Sequence, residues 1–138
     1  MKSTELMIGN WVKIKGNYGK TLKITTIDDT YNSINYFDGD AEGELTLQLN
    51  EIEPIPITPE ILEKNGIKWF CTEPSGRKTY CCNEPVVQCT YIPNSGWLIN
   101  VGACGSIKVR FVEISKIQYV HELQHAFRLC GIEKEIVL

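Results

Sequence analysis

The sequence predicts an α+β fold: two groups of short antiparallel strands, a short connecting helix and a helix near the C-terminus. Apolar and polar residues alternate in short runs separated by glycine, proline, asparagine and aspartate, which is typical of strands and turns. Pro54 and Pro56 interrupt this pattern, because a proline has no backbone donor for a central strand. Apolar residues recur at helical spacing near the C-terminus. We place a boundary at the proline connector, between residues 1–57 and 58–138.

The first part of the chain is predicted to be a meander of strands. Apolar and polar residues alternate over Trp11–Lys15, Gly16–Gly19 is expected to form a turn, and Leu22–Ile27 is the return strand. Ile34–Phe37 and Leu45–Leu49 continue the pattern on either side of an acidic loop that contains glycine. Strands this short leave exposed edges unless the sheet closes or is covered. We therefore expect a small β-barrel-like subdomain over residues 1–57.

The second part begins with a short helix and continues as a sheet. Thr58 is a suitable N-cap, followed by Pro59 and Glu60 in the first turn, and Gly66 is a suitable stop. Turn-forming residues then separate runs of strand-like sequence. The runs are Ile67–Cys71, Thr79–Cys82, Val86–Ile92, Trp97–Val101 and Ile107–Val112. These runs predict an antiparallel meander of about four or five strands.

The last element is predicted to be a helix that packs on this sheet. Ser115 with Gln118 three residues later matches a capping box, and Gly131 provides the C-terminal stop. Apolar residues recur at helical spacing at Ile117, Val120, Leu123, Phe127 and Cys130. This spacing gives the helix one core-facing side.

Composition excludes some classes of protein. The 138 residues carry a net charge of −3, which disfavours a broad nucleic-acid surface. The N-terminus lacks the apolar stretch of a secretory signal, and no run approaches the length of a membrane span, so we expect a cytoplasmic location. In that compartment cysteines stay reduced, and we interpret most of them as small buried side chains. The six are Cys71, Cys81, Cys82, Cys89, Cys104 and Cys130.

One motif suggests catalysis. His121, Glu122 and His125 spell His-Glu-x-x-His, which on a helix would place two imidazoles on one side to bind zinc, with Glu122 as general base. The chain has no other histidine, and no carboxylate lies at a spacing that completes the site. A sheet cysteine such as Cys104 or Cys89 could serve as a third ligand. We favour a structural interpretation of the motif, with no cofactor.

Aromatic residues suggest binding. Gly9–Ile14 and the turn Gly16–Gly19 resemble a small-barrel module of the Src-homology or KOW type. That resemblance implies a surface that binds peptides or RNA through aromatic side chains. The candidates are Trp11, Tyr18, Tyr31 and Tyr36; alternatively, Trp11 and Tyr36 close the barrel core. A further hypothesis is a ligand pocket in the second sheet that Trp69 and Trp97 line.

Three segments carry a broader resemblance. Ile8–Val12, Pro54–Leu62 and Tyr119–Gln124 resemble small uncharacterised proteins encoded in Bacteroidetes genomes, often near prophage or other mobile-element genes. The similarity follows the chain order and includes the glycine at 131. The resemblance implies that such proteins often carry glutamine and asparagine where this chain has Glu122 and His125. The resemblance therefore implies that zinc hydrolysis is not the shared function.

These observations predict an accessory or interaction protein without enzymatic activity. Its partner is expected to be a protein or a small ligand, and the net charge disfavours nucleic acid; no membrane association is expected. The alternative is a zinc-dependent metallohydrolase that uses His121, Glu122 and His125. The sequence leaves the oligomeric state open.

Overall fold

A computed structural model describes residues 1–16, 19–39, 42–84, 86–102 and 111–138. The chain forms two compact units. The first contains Met1–Pro56 and Tyr119–His121, and the second contains Ile57–Gln118 and Glu122–Leu138. Two helices and mainly antiparallel sheet place the protein in the predicted α+β class.

The first unit contains one five-stranded antiparallel sheet with the order β4-β3-β2-β1-β5. A 3₁₀ turn at Ser3–Glu5 precedes it, and a second at Leu49–Glu51 leads into its last strand. The strands are β1 (Trp11–Ile14), β2 (Thr21–Asp28), β3 (Ser33–Phe37), β4 (Glu44–Gln48) and β5 (Ile52–Glu53). The alternation in the sequence therefore predicted the first four strands correctly.

One face of this sheet forms the core of the first unit. Cross-strand pairing places Ile24 opposite Tyr36, and Ile27 opposite Ile34, on the same face. A bulge in β2 between Ile24 and Thr26 keeps both pairs on that face. The buried cluster consists of Leu6, Val12, Leu22, Ile24, Ile34, Tyr36, Leu49 and Ile52.

The β-barrel-like meander predicted for residues 1–57 does not close into a barrel in the part of the chain that the structure describes. There β4 and β5 are the two edges of the sheet, and no pairing joins them. β5 contains two residues and pairs with β1. Alternation in a sequence gives strands and their faces, but it carries no information on whether the two edges meet.

The second unit contains a helix followed by a five-stranded antiparallel meander with the order β10-β9-β8-β7-β6. The elements are α1 (Pro59–Lys64), β6 (Lys68–Thr72), β7 (Lys78–Asn83), β8 (Val86–Ile92), β9 (Gly96–Gly102) and β10 (Phe111–Ile117). The helix α2 (Val120–Leu129) follows β10. The predicted meander is confirmed, although residues 107–110 of its last predicted strand lie outside the described residues.

Helix α1 begins and ends as its sequence predicts. The Thr58 hydroxyl oxygen accepts a hydrogen bond from the Ile61 amide at 3.4 Å, and Pro59 is the first helical residue. Gly66 has a φ of +76° and ends the helix. The Ile67 amide then donates to the Leu62 carbonyl at 2.9 Å, which completes a Schellman motif.

The buried Asn65 side chain anchors the C-terminal segment. Its Nδ2 group donates to the Val137 carbonyl at 2.7 Å, and its Oδ1 atom accepts from the Val137 amide at 2.9 Å. The same Nδ2 group donates to the Ile61 carbonyl at 2.7 Å. These bonds satisfy the polar groups of a side chain that is 6% exposed, and they hold Ile136 in a buried position.

The start of the C-terminal helix differs from the prediction. Ser115 lies inside β10 and does not cap a helix, and α2 begins five residues later at Val120. The cause is pairing with β9, which extends β10 to Ile117 opposite Trp97. Strand pairing over these residues overrides the local capping pattern. The predicted stop is confirmed, because Gly131 has a φ of +70° and directly follows the last turn.

Neither helix among the described residues has both the length and the apolar composition needed to cross a lipid bilayer.

Candidate functional site

The strongest candidate site is an aromatic pocket at one end of the buried face of the second sheet. Register places Lys78, Tyr91 and Trp97 side by side across β7, β8 and β9. Tyr80 lies two residues from Lys78 and therefore on the same face. With Ile57 and Pro59, these side chains line a pocket of about 180 Å³.

Three aromatic rings form the walls of this aromatic pocket. The Trp97 ring is 5.8 Å from the Tyr80 ring and 5.4 Å from the Tyr91 ring, between centroids, and both pairs are inclined by 58°. Tilted pairs at this spacing are favourable and keep the rings in fixed orientations. Tyr80 and Trp97 are buried, whereas Tyr91 is 36% exposed and forms the open side.

The start of α1 supplies the rest of the lining. The Ile57 amide donates to the Gln118 carbonyl at 2.9 Å, so the backbone at this point is fixed. Thr58 caps the helix, and the ring of Pro59 restricts the next residue to a helical φ. The aromatic pocket is therefore preformed by local structure.

The polar groups of the aromatic pocket are two phenol hydroxyls, an indole N–H and an ammonium group. Burial raises the pKa of Tyr80, and the carboxylates of Glu63 and Glu60 raise it further. The Tyr80 hydroxyl therefore keeps its proton at neutral pH. Lys78 forms no salt bridge with another residue that the structure describes, unlike Lys13 with Glu53 and Lys20 with Asp38.

Two further aromatic side chains lie on the edge strand β6. Trp69 pairs with Tyr80 and therefore lies on the same face of the sheet, and its Nε1 group donates to Thr72 Oγ1 at 3.2 Å. Trp69 is 57% exposed and Phe70 is 68% exposed. Of the predicted pair, Trp97 lines the aromatic pocket and Trp69 does not. The exposed pair adds apolar surface to the same unit.

The aromatic candidates of the first unit occupy different environments. Tyr31 is 71% exposed on the turn between β2 and β3. Tyr36 is buried in the core cluster, as the alternative interpretation expects, and is therefore unavailable to a partner. Trp11 is partly buried on β1. Tyr18 lies outside the described residues.

The histidine motif lies on α2, as predicted. His121 is buried and stacks on Tyr119, with ring centroids 5.8 Å apart and planes 9° from parallel. His125 is partly buried. Among the described residues, no group of three or more histidine, cysteine, aspartate or glutamate side chains could hold a metal.

The two cysteines suggested as a third ligand are not equivalent. Cys104 lies outside the described residues. Burial raises the pKa of Cys89 to about 12, with smaller contributions from Cys81 and Cys82. The Cys89 thiol is therefore neutral at pH 7 in the metal-free protein.

A hydrogen bond to the backbone gives the Glu122 carboxylate a structural role. Its Oε2 atom accepts a hydrogen bond from the Gln118 amide at 2.7 Å, across the start of α2. A carboxylate in the first turn also interacts favourably with the helix dipole. Glu122 thus stabilises the turn that connects β10 to α2.

We expect Glu122→Gln to keep this turn, because a glutamine side-chain carbonyl can accept the same hydrogen bond. Glu122→Ala removes the acceptor and should lower the free energy of unfolding by about 1 kcal/mol. Urea denaturation of the two variants checks this difference. A larger loss in Glu122→Gln than in Glu122→Ala would contradict the structural role.

No protein-family model, curated protein or solved structure matches this chain.

Proposed function

We propose that the protein is a non-enzymatic interaction protein whose aromatic pocket takes one apolar side chain of a partner protein. The observation that carries this proposal is the set of inclined rings of Tyr80, Tyr91 and Trp97 around an open volume. Aromatic side chains in well-packed pockets provide much of the binding free energy at protein interfaces.

The size of the aromatic pocket favours a protein partner over a free small molecule. Its volume is about 180 Å³. Sites for drug-sized ligands usually measure about 300–1,000 Å³. A single anchoring side chain fits the smaller volume, and the rest of the partner would then contact the surrounding surface. The exposed Trp69, which lies on the same face of the sheet as Tyr80, provides apolar surface for such contacts.

The charge at the aromatic pocket favours an acidic group beside the anchor. Lys78 is exposed, lines the pocket and has no ion-pair partner among the described residues. A partner carboxylate next to the inserted side chain would pair with this ammonium group. Such a pair at the rim contributes mainly to orientation and specificity.

The side chains that line the aromatic pocket suit binding and not acid–base catalysis. The Tyr80 phenol has a raised pKa and holds its proton at pH 7, and an indole does not titrate in this range. The zinc-hydrolase alternative would instead use His121, His125 and Glu122, but Glu122 accepts a backbone hydrogen bond at the start of α2. We therefore assign no catalytic role to these three residues.

We also propose that the first unit is related to small-barrel modules of the Src-homology or KOW type. The strand order supports this, because β5 returns to pair with β1 after a 3₁₀ turn. The bulge that bends β2 between its two partners supports it as well.

A peptide-display selection on the full chain tests the partner proposal. We expect enriched peptides with one aromatic or large aliphatic residue beside an aspartate or glutamate. Tyr91→Ala, which removes the open wall, should weaken binding of a synthetic copy of such a peptide about tenfold or more. Lys78→Glu should weaken the binding of the acidic peptides, because it reverses the charge at the rim of the pocket.

The matched control is Leu129→Ala, which removes an apolar side chain that is 79% exposed in the same unit but does not line the aromatic pocket. It should bind the peptide as the unmodified chain does. If selection enriches no common pattern, or if Tyr91→Ala binds with unchanged affinity, the proposal is wrong.

A further inference from the structure

A second groove lies on the first unit and differs in chemistry from the aromatic pocket. Directly paired residues of an antiparallel sheet share a face, and two adjacent rows across β2, β3 and β4 contain hydrogen-bonding side chains. The rows are Asp28, Ser33 and Gln48, and Thr26, Asn35 and Thr46. All six are on the face opposite the core pairs of the same strands.

These six side chains and Tyr31 line a groove of about 390 Å³, which we call the polar groove. This volume lies within the range of about 300–1,000 Å³ that is usual for small-molecule sites. A polar outer face is ordinary for an antiparallel sheet. The concave shape and the aromatic ring at its edge are additional features that a solvated face does not need.

The turn that carries Tyr31 is held in place. Asp28 Oδ1 accepts hydrogen bonds from the Thr30 amide at 2.9 Å and from the Tyr31 amide at 3.2 Å. Asn32 follows with a φ of +50°, a conformation that asparagine tolerates better than most residues. The ring of Tyr31 is 71% exposed and therefore contributes little to the core. The protein thus presents a large aromatic ring on an ordered turn beside the polar groove.

The polar side chains of the groove are also ordered. Thr46 Oγ1 donates to Asn35 Oδ1 at 2.9 Å, and Asn35 Nδ2 donates to Glu44 Oε2 at 3.2 Å. A carboxamide has two donor hydrogens and two acceptor lone pairs. Asn35 therefore retains one donor for a ligand after these contacts, and its orientation is fixed before binding.

Charge selects the type of ligand. Residues 1–56 contain five lysines against nine aspartates and glutamates, so the first unit repels anions. Asp28 is the one charged side chain among the residues that line the polar groove in the described part of the chain. The groove thus disfavours an anion, and the neutral hydrogen-bonding groups of its other residues suit a ligand with many hydroxyl groups and with an apolar face that can stack on a phenol ring.

We propose that the polar groove binds a neutral saccharide. One sugar ring stacks its C–H face on Tyr31, and its hydroxyl groups, each of which donates and accepts, bond with Asn35, Gln48 and Asp28. This site is separate from the aromatic pocket and would serve a ligand of a different class.

Titration of the full chain by ¹⁵N-correlated NMR tests the proposal with three probes: cellohexaose, maltohexaose and chitohexaose. We expect at least one of them to shift the amides of β2, β3 and β4. Tyr31→Ala should weaken that binding about tenfold or more, by analogy with the loss of one aromatic ring that stacks on a nucleobase. Tyr31→Phe keeps the ring and should retain most of the affinity, and Gln48→Ala should weaken binding to a smaller extent.

Tyr91→Ala separates this proposal from the protein-binding one, because it alters the aromatic pocket and should leave saccharide binding unchanged. Two results would overturn the saccharide proposal. One is the absence of shifts in these strands with all three probes. The other is binding that persists at full strength in Tyr31→Ala.

Discussion

Gly96→Ala is expected to lower the free energy of unfolding by about 3 kcal/mol. Gly96 has a φ of +93°, which an L-residue with a side chain rarely adopts. An added Cβ atom would also lie 2.9 Å from the Ile117 carbonyl oxygen and 3.3 Å from Gln118 Cγ. Relief of the clash requires β9 and the end of β10 to separate. Urea denaturation followed by circular dichroism measures the loss.

Gly131→Ala is the matched control for Gly96→Ala. Its φ is +70°, but nothing lies within 4 Å of the position that its Cβ atom would occupy. Gly131→Ala should lower the free energy of unfolding by about 1–2 kcal/mol, which is the cost of the left-handed backbone conformation without a steric clash. If the two variants lose equal stability, the close approach of Ile117 to Gly96 does not contribute as we argue.

Phe127→Ala is expected to lower the free energy of unfolding by about 3–5 kcal/mol. The Phe127 side chain is 1% exposed and is among the largest fully buried side chains of the chain. Its removal leaves a cavity beside α2 and takes away apolar surface buried on folding. The Phe127 carbonyl still accepts the Ile132 amide at the helix end, so the loss reports on packing. Thermal and urea unfolding measure it.

Leu129→Ala lies two residues further along α2 and provides the comparison. Leu129 is 79% exposed, and alanine favours helix more than leucine does. We expect a change within about 0.5 kcal/mol. Similar losses in Phe127→Ala and Leu129→Ala would show that the buried face of α2 is assigned incorrectly.

The sequence predicts strands well where alternation and turn residues agree. Tyr91 and Trp97, for example, lie on strands that flank the turn Pro93–Gly96, and the structure pairs them directly. The N-cap predicted at Ser115 failed because a capping pattern is local, whereas pairing with β9 involves residues distant in the sequence. For the same reason the sequence could not show that β4 and β5 remain the unpaired edges of the first sheet in the described part of the chain.

The sequence predicts only part of the aromatic pocket. Trp97 was a candidate, but Tyr80, Tyr91 and Pro59 were not, because they come from three elements that register and helix capping bring together. The spacing of Lys78 and Tyr80 two residues apart does indicate a shared face. The sequence does not reveal which residues of β8 and β9 complete that face. Tyr31 was a candidate for binding, yet the six polar residues beside it required the cross-strand register.

We propose that the aromatic pocket accepts an apolar group with an acidic group beside it. The direct measurement uses 3-phenylpropionate as a probe and records intermolecular nuclear Overhauser effects on the full chain, with 3-phenylpropylamine as the probe of opposite charge. We predict contacts from the phenyl protons to the rings of Tyr91 and Trp97, and weaker binding of the amine because Lys78 repels it. Contacts located elsewhere on the chain, or equal binding of the two probes, would contradict the account.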